Sequence, residues 1–150
     1  MDNKHPGIKC FYNFIDAFNT VDKNQIIQNL HFPHVTHSNG NKPVIYENGD
    51  IFWESLQIQF DQMITLEEWS YSTLDKCEII NETDRTLQCL VEFNRRTKNK
   101  KSYGTAKGIW VATLIDNIWA LQMRSMIPVS GKISSLAGTK MSNGNLVVKP

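Results

Sequence analysis

Three histidines, His31, His34 and His37, are spaced three residues apart and could transfer protons or hold a metal ion. Neutral imidazole accepts a proton near neutral pH and is a common ligand of zinc, iron and copper. However, Pro33 breaks the segment after the first histidine, and no Asp or Glu accompanies the three. The spacing therefore favours capping or partly exposed histidines over a metal site, and we predict neither a metal nor a cofactor.

Two charged residues, Glu92 and Arg124, lie in stretches where apolar and polar side chains alternate, as they do in β-strands. Alternation places each of them on the face opposite its odd-numbered neighbours. If that face is concave, both charges are partly buried and must be paired, because an unpaired buried charge is costly. If it is convex, they belong to an interface or to solvent. The sequence leaves both alternatives open.

The remaining reactive residues form no recognisable catalytic or phosphate-binding motif. No Gly-x-Ser-x-Gly elbow occurs, and the Gly-Lys-Ile-Ser of residues 131–134 lacks the upstream glycine of a phosphate loop. The cysteines, Cys10, Cys77 and Cys89, are odd in number and have no Cys-x-x-Cys spacing. This pattern argues against a disulfide framework and a structural zinc site, and it predicts a reducing, cytoplasmic location.

The first half of the chain carries helical periodicity. Apolar residues recur at helical spacing over residues 8–20 and again over 50–64, which predicts two amphipathic helices. Between them, Asp22 followed by Gln25 predicts the N-cap of a second, short helix. A strand is expected from about residue 35, after the proline, and another short strand at 43–46.

After residue 69 the period changes to two, which is typical of β-strands. The pattern predicts an antiparallel meander of four strands at about 70–81, 85–97, 102–115 and 118–127. Small residues on one face of the third strand, including Gly104 and Gly108, predict strong curvature or close backbone approach. The fold class is therefore α+β: a curved antiparallel sheet of four long strands plus short N-terminal strands, packed on three N-terminal helices.

The whole-chain composition limits the number of domains and the classes of partner. At 150 residues and 41% hydrophobic, the chain is long enough for one core, which we assign to residues 1–127, with a loosely held tail at 128–150. Lysine and arginine number 16 against 15 acids, so no strong field favours nucleic acid or an anionic membrane. No apolar run approaches the roughly 18 residues that span a bilayer. The basic residues between 95 and 101 are expected to solvate a loop tip.

Four stretches, in consistent order, carry a resemblance to a known family. They are the aromatic helix with its Asn-Thr-Val-Asp break at 11–22, Leu-His-Phe-Pro-His-Val at 30–35, the segment 69–78 and the terminal strand 117–125. Together they resemble the nuclear-transport-factor-2-like superfamily, with similarity to its SnoaL-like and ketosteroid-isomerase-like members and to an uncharacterised bacterial branch. The resemblance covers residues 8–128 and implies a cone-shaped fold, an apolar cavity and frequent dimerisation through the open sheet face.

The resemblance also permits a test of steroid-isomerase chemistry, which uses an aspartate base, a tyrosine and a protonated aspartate. The position of the tyrosine falls at Phe14, the strand 107–114 contains no carboxylate, and the position of the base falls at His37. Two of the three groups are therefore missing, and we do not predict that reaction. His37 would instead lie at the mouth of the pocket as a proton acceptor.

Two functions remain. The favoured one is a non-catalytic, homodimeric module that binds a small hydrophobic ligand in an apolar pocket, since no convergent acid and base can be identified. The other is a cofactor-independent lyase, isomerase, cyclase or hydrolase that uses His37 or His34 with Arg124 or Glu92. The predicted pocket residues are Tyr12, Phe14, Phe18, His34, Phe52, Trp53, Phe60, Trp69, Tyr71, Phe93, Trp110 and Met123.

Overall fold

The computed structural model describes residues 5–137, which contain three helices and six strands. In chain order the elements are α1 (Pro6–Phe18), α2 (Lys23–Ile27), β1 (Leu30–Ser38), β2 (Val44–Tyr46), α3 (Gly49–Glu67), β3 (Tyr71–Glu82), β4 (Thr86–Arg96), β5 (Ser102–Ile115) and β6 (Ile118–Gly131). The predicted α+β class and the order of its elements are confirmed.

Side-chain caps determine where the helices begin. Asp22 is the N-cap of α2, as predicted, and its Oδ1 accepts hydrogen bonds from the backbone N–H groups of Asn24 and Gln25 at 2.9 and 3.2 Å. Asn48 caps α3 in the same way. α3 ends only at Glu67, three residues later than predicted, because Glu68 adopts a left-handed conformation there. None of the helices in residues 5–137 combines the length and the apolar character needed to cross a membrane.

The sheet has the strand order β2-β1-β6-β5-β4-β3. The antiparallel meander of β3 to β6 is confirmed, and a turn at Asp116 and Asn117, both with positive φ, joins β5 to β6. β1 pairs in parallel with β6, so the complete sheet is mixed. β1 begins at Leu30, not after Pro33 as predicted. The proline is tolerated inside the strand because it lies where the register with β6 is irregular.

One face of the sheet, called the inner face here, carries Leu87, Cys89 and Val91 and is covered by α1 and α3. The opposite face is called the outer face. Gly108 lies on the inner face, where a Cβ atom would overlap the carbonyl oxygen of Ser125 on β6. This confirms the expectation that small residues on β5 permit close backbone approach.

The chain folds back after β6, which extends four residues beyond the strand predicted from the sequence. Gly131 has a φ of +79°, a conformation that favours glycine, and the following residues turn towards the body of the domain. Ser135 and Leu136 are 2% and 4% exposed. The apolar triplet 146–148 lies outside the described residues, and the division into domain and tail stays a prediction.

Candidate functional site

Two adjoining cavities lie between the inner face of the sheet and the helices. Including the open space at their mouths, the two measure about 400 and 230 Å³, whereas the space that the centre of a water molecule can occupy is about 30 and 10 Å³. The larger is lined by Phe14, Ile15, Phe18, Gln59, Ser72, Phe93, Arg95, Trp110, Arg124 and Ala137. The smaller is lined by Thr36, Tyr46, Phe52, Ser55, Leu56, Gln59, Arg124 and Ala137. Arg124, Gln59 and Ala137 are common to both, so they lie where the two cavities meet.

A bulge in β6 determines where Arg124 points. Met123 pairs with Val111 on the outer face, and the register between β5 and β6 shifts between Val111 and Ala112. As a result, Leu121 and Arg124 share the inner face instead of alternating. The prediction that Arg124 and Leu121 lie on opposite faces of the sheet was therefore wrong. A bulge adds one residue to a strand, and the alternation of apolar and polar residues in the sequence does not reveal it.

The guanidinium of Arg124 is held by histidine and aromatic groups. Its Nε donates to His34 Nε2 at 3.2 Å, and its Cζ lies 4.8 Å from the centroid of the Phe14 ring and 6.0 Å from that of Phe52. The residue is only 9% exposed, and burial lowers the pKa of Arg124 from its ordinary value to about 10, with the nearby Tyr46 opposing the shift. Arg124 therefore stays charged at neutral pH.

No counter-ion for Arg124 lies within the described residues. No Asp or Glu oxygen of residues 5–137 comes within 4.0 Å of the guanidinium. Outside that range the sequence contains a single acidic side chain, Asp2. A buried guanidinium beside a cavity is thus without a carboxylate partner in the part of the chain that the structure describes.

His34 is neutral in this environment. It is fully buried, and burial together with the positive charge of Arg124 holds the pKa of His34 well below 6.5, against the opposing effect of peptide groups in β6. Arginine can only donate, so Nε2 of His34 must be the acceptor and the ring proton lies on Nδ1. Nδ1 has no hydrogen-bond partner within residues 5–137. His34 therefore orients Arg124, and its basic nitrogen is already occupied.

Two further polar side chains, Thr36 and Gln59, line the same space. Thr36 is directly opposite Arg124 in the register of β1 and β6, is 1% exposed, and its Oγ1 has no hydrogen bond in the described structure. Gln59 of α3 is 8% exposed and lines both cavities. Buried polar groups normally find partners, so a cluster of unpartnered ones marks a place where a ligand is expected.

A second buried arginine is fully paired. Arg95 Nη1 donates to both carboxylate oxygens of Glu67 at 3.1 Å, and neither side chain is more than 3% exposed. Tyr103 Oη donates to the same carboxylate at 2.6 Å and the backbone N–H of Ser134 at 2.7 Å. The expectation that Arg95 belongs to a solvated loop tip was wrong. Period-two alternation from Leu87 already puts Arg95 on the buried row, and that pattern could have identified it.

The structure brings together only part of the predicted pocket. Phe14, Phe18, Phe93 and Trp110 line the larger cavity, Phe52 lines the smaller one, and His34 lies behind Arg124. The other aromatic residues of α1 and α3 that were assigned to the pocket, together with Trp69, line neither cavity. Phe60 and Trp69 pack behind Phe18, Trp53 packs against Phe60, and Tyr12 lies near Cys77 and Cys89.

Four predicted site residues lie on the outer face instead, away from both cavities. Tyr71 and Met123 are there by their register with β4 and β5, and Met123 is 45% exposed. His37 Nδ1 contacts Ser125 Oγ at 3.0 Å, and Glu92 lies 3.8 Å from the ammonium of Lys107. Neither residue meets Arg124, because the sheet separates them.

The three histidines also diverge. His31 Nε2 contacts the carbonyl oxygen of Ile118 at 2.8 Å, whereas His34 and His37 lie on opposite faces of β1. Within residues 5–137, no group of three or more His, Cys, Asp or Glu side chains is arranged to hold a metal ion.

Comparison with known proteins establishes the fold. No protein-family model and no curated protein matches the chain. A nuclear-transport-factor-2-like protein of unknown function from Shewanella oneidensis is 15% identical, over 80% of this chain and 94% of that one, with a TM-score of 0.63. A similar protein from Cytophaga hutchinsonii is 12% identical, over 86% and 100%, with a TM-score of 0.62. A ketosteroid isomerase-like protein from Erwinia carotovora atroseptica is 10% identical, over 86% and 98%, with a TM-score of 0.59. The chain therefore has the nuclear-transport-factor-2-like, or cystatin-like, fold that its motifs resemble.

Proposed function

We propose that this domain, which has the nuclear-transport-factor-2-like fold, binds a small and largely apolar molecule between α1, α3 and the inner face of the sheet. The larger cavity carries the proposal: its walls are mostly apolar, with four aromatic rings, and polar groups without protein partners lie beside it. Ligand sites have this composition, with apolar walls for affinity and a small number of polar groups for orientation. The fold alone supplies no function, because it serves many.

Binding without catalysis is favoured by the chemistry of the cavity walls. No carboxylate lines either cavity in residues 5–137, and the basic nitrogen of His34 already accepts from Arg124. His37 and Glu92, the other candidates for proton transfer, lie on the outer face. General acid-base catalysis needs a proton donor or acceptor within hydrogen-bonding reach of the substrate, and these positions do not support one.

Native mass spectrometry with phenylacetamide as a neutral aromatic probe tests the proposal. We expect one probe molecule per chain, and we expect Ile15→Trp to lose it, because Ile15 lines the cavity and tryptophan would fill the space. Ile64→Trp is the matched control, since Ile64 is 46% exposed and lines neither cavity. Absence of both a co-purified ligand and probe binding in the wild type would contradict the proposal, as would unchanged binding by Ile15→Trp.

We also propose a homodimer formed through the outer face. Ile109, Met123 and Ile127 are 40%, 45% and 50% exposed there. An open groove that crosses strands β3 to β6 is lined by Ile109 and Ile127 together with charged residues of both signs. Alternating apolar and oppositely charged groups suit a two-fold interface in which each copy meets the same surface. Light scattering should give twice the chain mass for the wild type and for the control Ile64→Lys, but one chain mass for Ile109→Lys. A monomeric wild type at micromolar concentration would refute the dimer.

The three cysteines support a proposal about compartment. Cys10, Cys77 and Cys89 are free thiols in the structure. Thiols persist where glutathione and thioredoxin keep them reduced, so a cytoplasmic location is proposed.

A further inference from the structure

The two buried arginines of the inner face differ in how their charges are balanced. Arg95 is 3% exposed and forms a two-oxygen ion pair with Glu67. Arg124 is 9% exposed, and within residues 5–137 its hydrogen bonding is limited to Nε donating to a neutral imidazole. Burying a charge is tolerated when it is paired, so the same sheet holds one balanced cation and one that lacks an anion.

The hydrogen-bond donors around Arg124 indicate which kind of anion could neutralise its charge. Arg124, whose Nη groups have no hydrogen-bond acceptor in the described residues, lies where the two cavities meet, and Thr36 is its partner in the strand register. The amide of Gln59 completes the group from α3. All three residues line the smaller cavity and can donate hydrogen bonds, and the planar guanidinium fork matches the two oxygens of a carboxylate.

We propose that the cavity recognises a small monocarboxylic acid with an aromatic or branched apolar body, a proposal that rests on the ligand-binding function above. The carboxylate bridges the Arg124 Nη groups and the Thr36 hydroxyl, and the apolar body lies against Phe14, Phe93 and Trp110. A singly charged ligand neutralises the single cation, whereas a phosphate dianion would leave a buried negative charge uncompensated. His34 is a positioning residue: by accepting from Nε, it turns the rest of the fork towards the cavity.

A matched pair of probes, phenylacetate and phenylacetamide, tests the charge requirement by calorimetric titration at pH 7. The wild type should bind the carboxylate about 10- to 100-fold more tightly than the amide, the range expected for one to two charge-assisted hydrogen bonds. Arg124→Met should bind both probes with equal, weak affinity. Arg124→Lys should keep part of the preference, since an ammonium retains the charge but not the fork. Lys132→Met, an exposed charge, is the control and should behave like the wild type.

Circular dichroism of each variant confirms folding, and Arg124→Gln is used in place of any variant that does not fold. Chemical-shift changes at the Arg124 Nε–H on titrating phenylacetate into the wild type give a second measurement that needs no variant. Equal affinity of the wild type for the two probes, or a preference retained in Arg124→Met, would overturn the carboxylate assignment and leave ligand binding intact. Binding of inorganic phosphate as tightly as phenylacetate would overturn it too. Failure of both organic probes in the wild type would instead count against the proposed function.

Discussion

Replacing each buried arginine by methionine should separate a structural cation from one that awaits a ligand. Arg95→Met removes the counter-ion of Glu67, whose side chain is fully buried. Breaking a buried ion pair from one side costs about 3 to 5 kcal/mol, because the remaining charge is uncompensated. Tyr103 and Ser134 continue to donate to the carboxylate, so we expect a value near the lower end of that range.

For Arg124→Met, we expect opposing contributions to the free energy of unfolding that nearly cancel. Lowering the pKa of Arg124 from its ordinary value to about 10 corresponds to roughly 3 kcal/mol of lost stability in the charged state, at about 1.36 kcal/mol per pKa unit. Because the folded state binds this proton less tightly than the unfolded chain, the cost is fully present at neutral pH and declines only as the pH rises through about 10. Methionine removes that cost, but it leaves His34 Nε2 unpaired, at about 1 to 3 kcal/mol, and loses a cation–π contact of about 1 kcal/mol.

The assay is urea unfolding at pH 7 and 25 °C, followed by tryptophan fluorescence. In the absence of ligand, we expect the free energy of unfolding to fall by about 3 kcal/mol in Arg95→Met and to stay within about 1 kcal/mol of the wild type in Arg124→Met. Equal losses in the two variants would show that Arg124 has a counter-charge of its own, and would refute the reasoning that its charge is available to a ligand.

Three further outcomes follow from other parts of the structure. Gly108→Ala should destabilise the domain by about 1 to 3 kcal/mol in the same urea assay, since a Cβ would overlap the carbonyl oxygen of Ser125. The ring of His34 should remain neutral in NMR titrations well below pH 6.5, and stability should fall as the pH drops below about 6.5, because the unfolded chain then binds a proton that the folded state does not. Burial and the hydrogen bond to Glu67 raise the pKa of Tyr103, so one tyrosine should resist ionisation in alkaline absorbance titration, and Tyr103→Phe should abolish that resistant fraction.

Features fixed by neighbouring residues could be predicted from the sequence. The N-cap at Asp22 depends on a hydrogen bond to groups two and three residues away, and the meander depends on alternation within each strand. Phe14 and Phe18 could be placed on the buried face of the first helix because the helical period identifies that face, and both line the larger cavity.

Features that depend on distant residues could not be predicted. The bulge that turns Arg124 inward and the parallel pairing of β1 with β6 both arise from register between strands. His37 was assigned to the pocket mouth by family resemblance, yet its side chain points outward because Thr36 occupies the inward position. The partner of Arg95 is Glu67, which belongs to another element, so no local pattern connects them.

The position of β6 also has a consequence for the order in which the protein can fold during synthesis. β6 is the neighbour of both β1 and β5, so the sheet stays divided until the last strand has left the ribosome. The hydrogen bond from the Ser134 backbone N–H to the Glu67 carboxylate likewise cannot form until the residues after β6 have been synthesised. β1 and β2 must therefore persist as a short hairpin without a partner while β3, β4 and β5 are made, and two-stranded hairpins are only marginally stable alone. The sheet is completed only when β6 joins it, and a chain truncated before β6 should be a substrate for chaperones and proteases instead of a smaller domain.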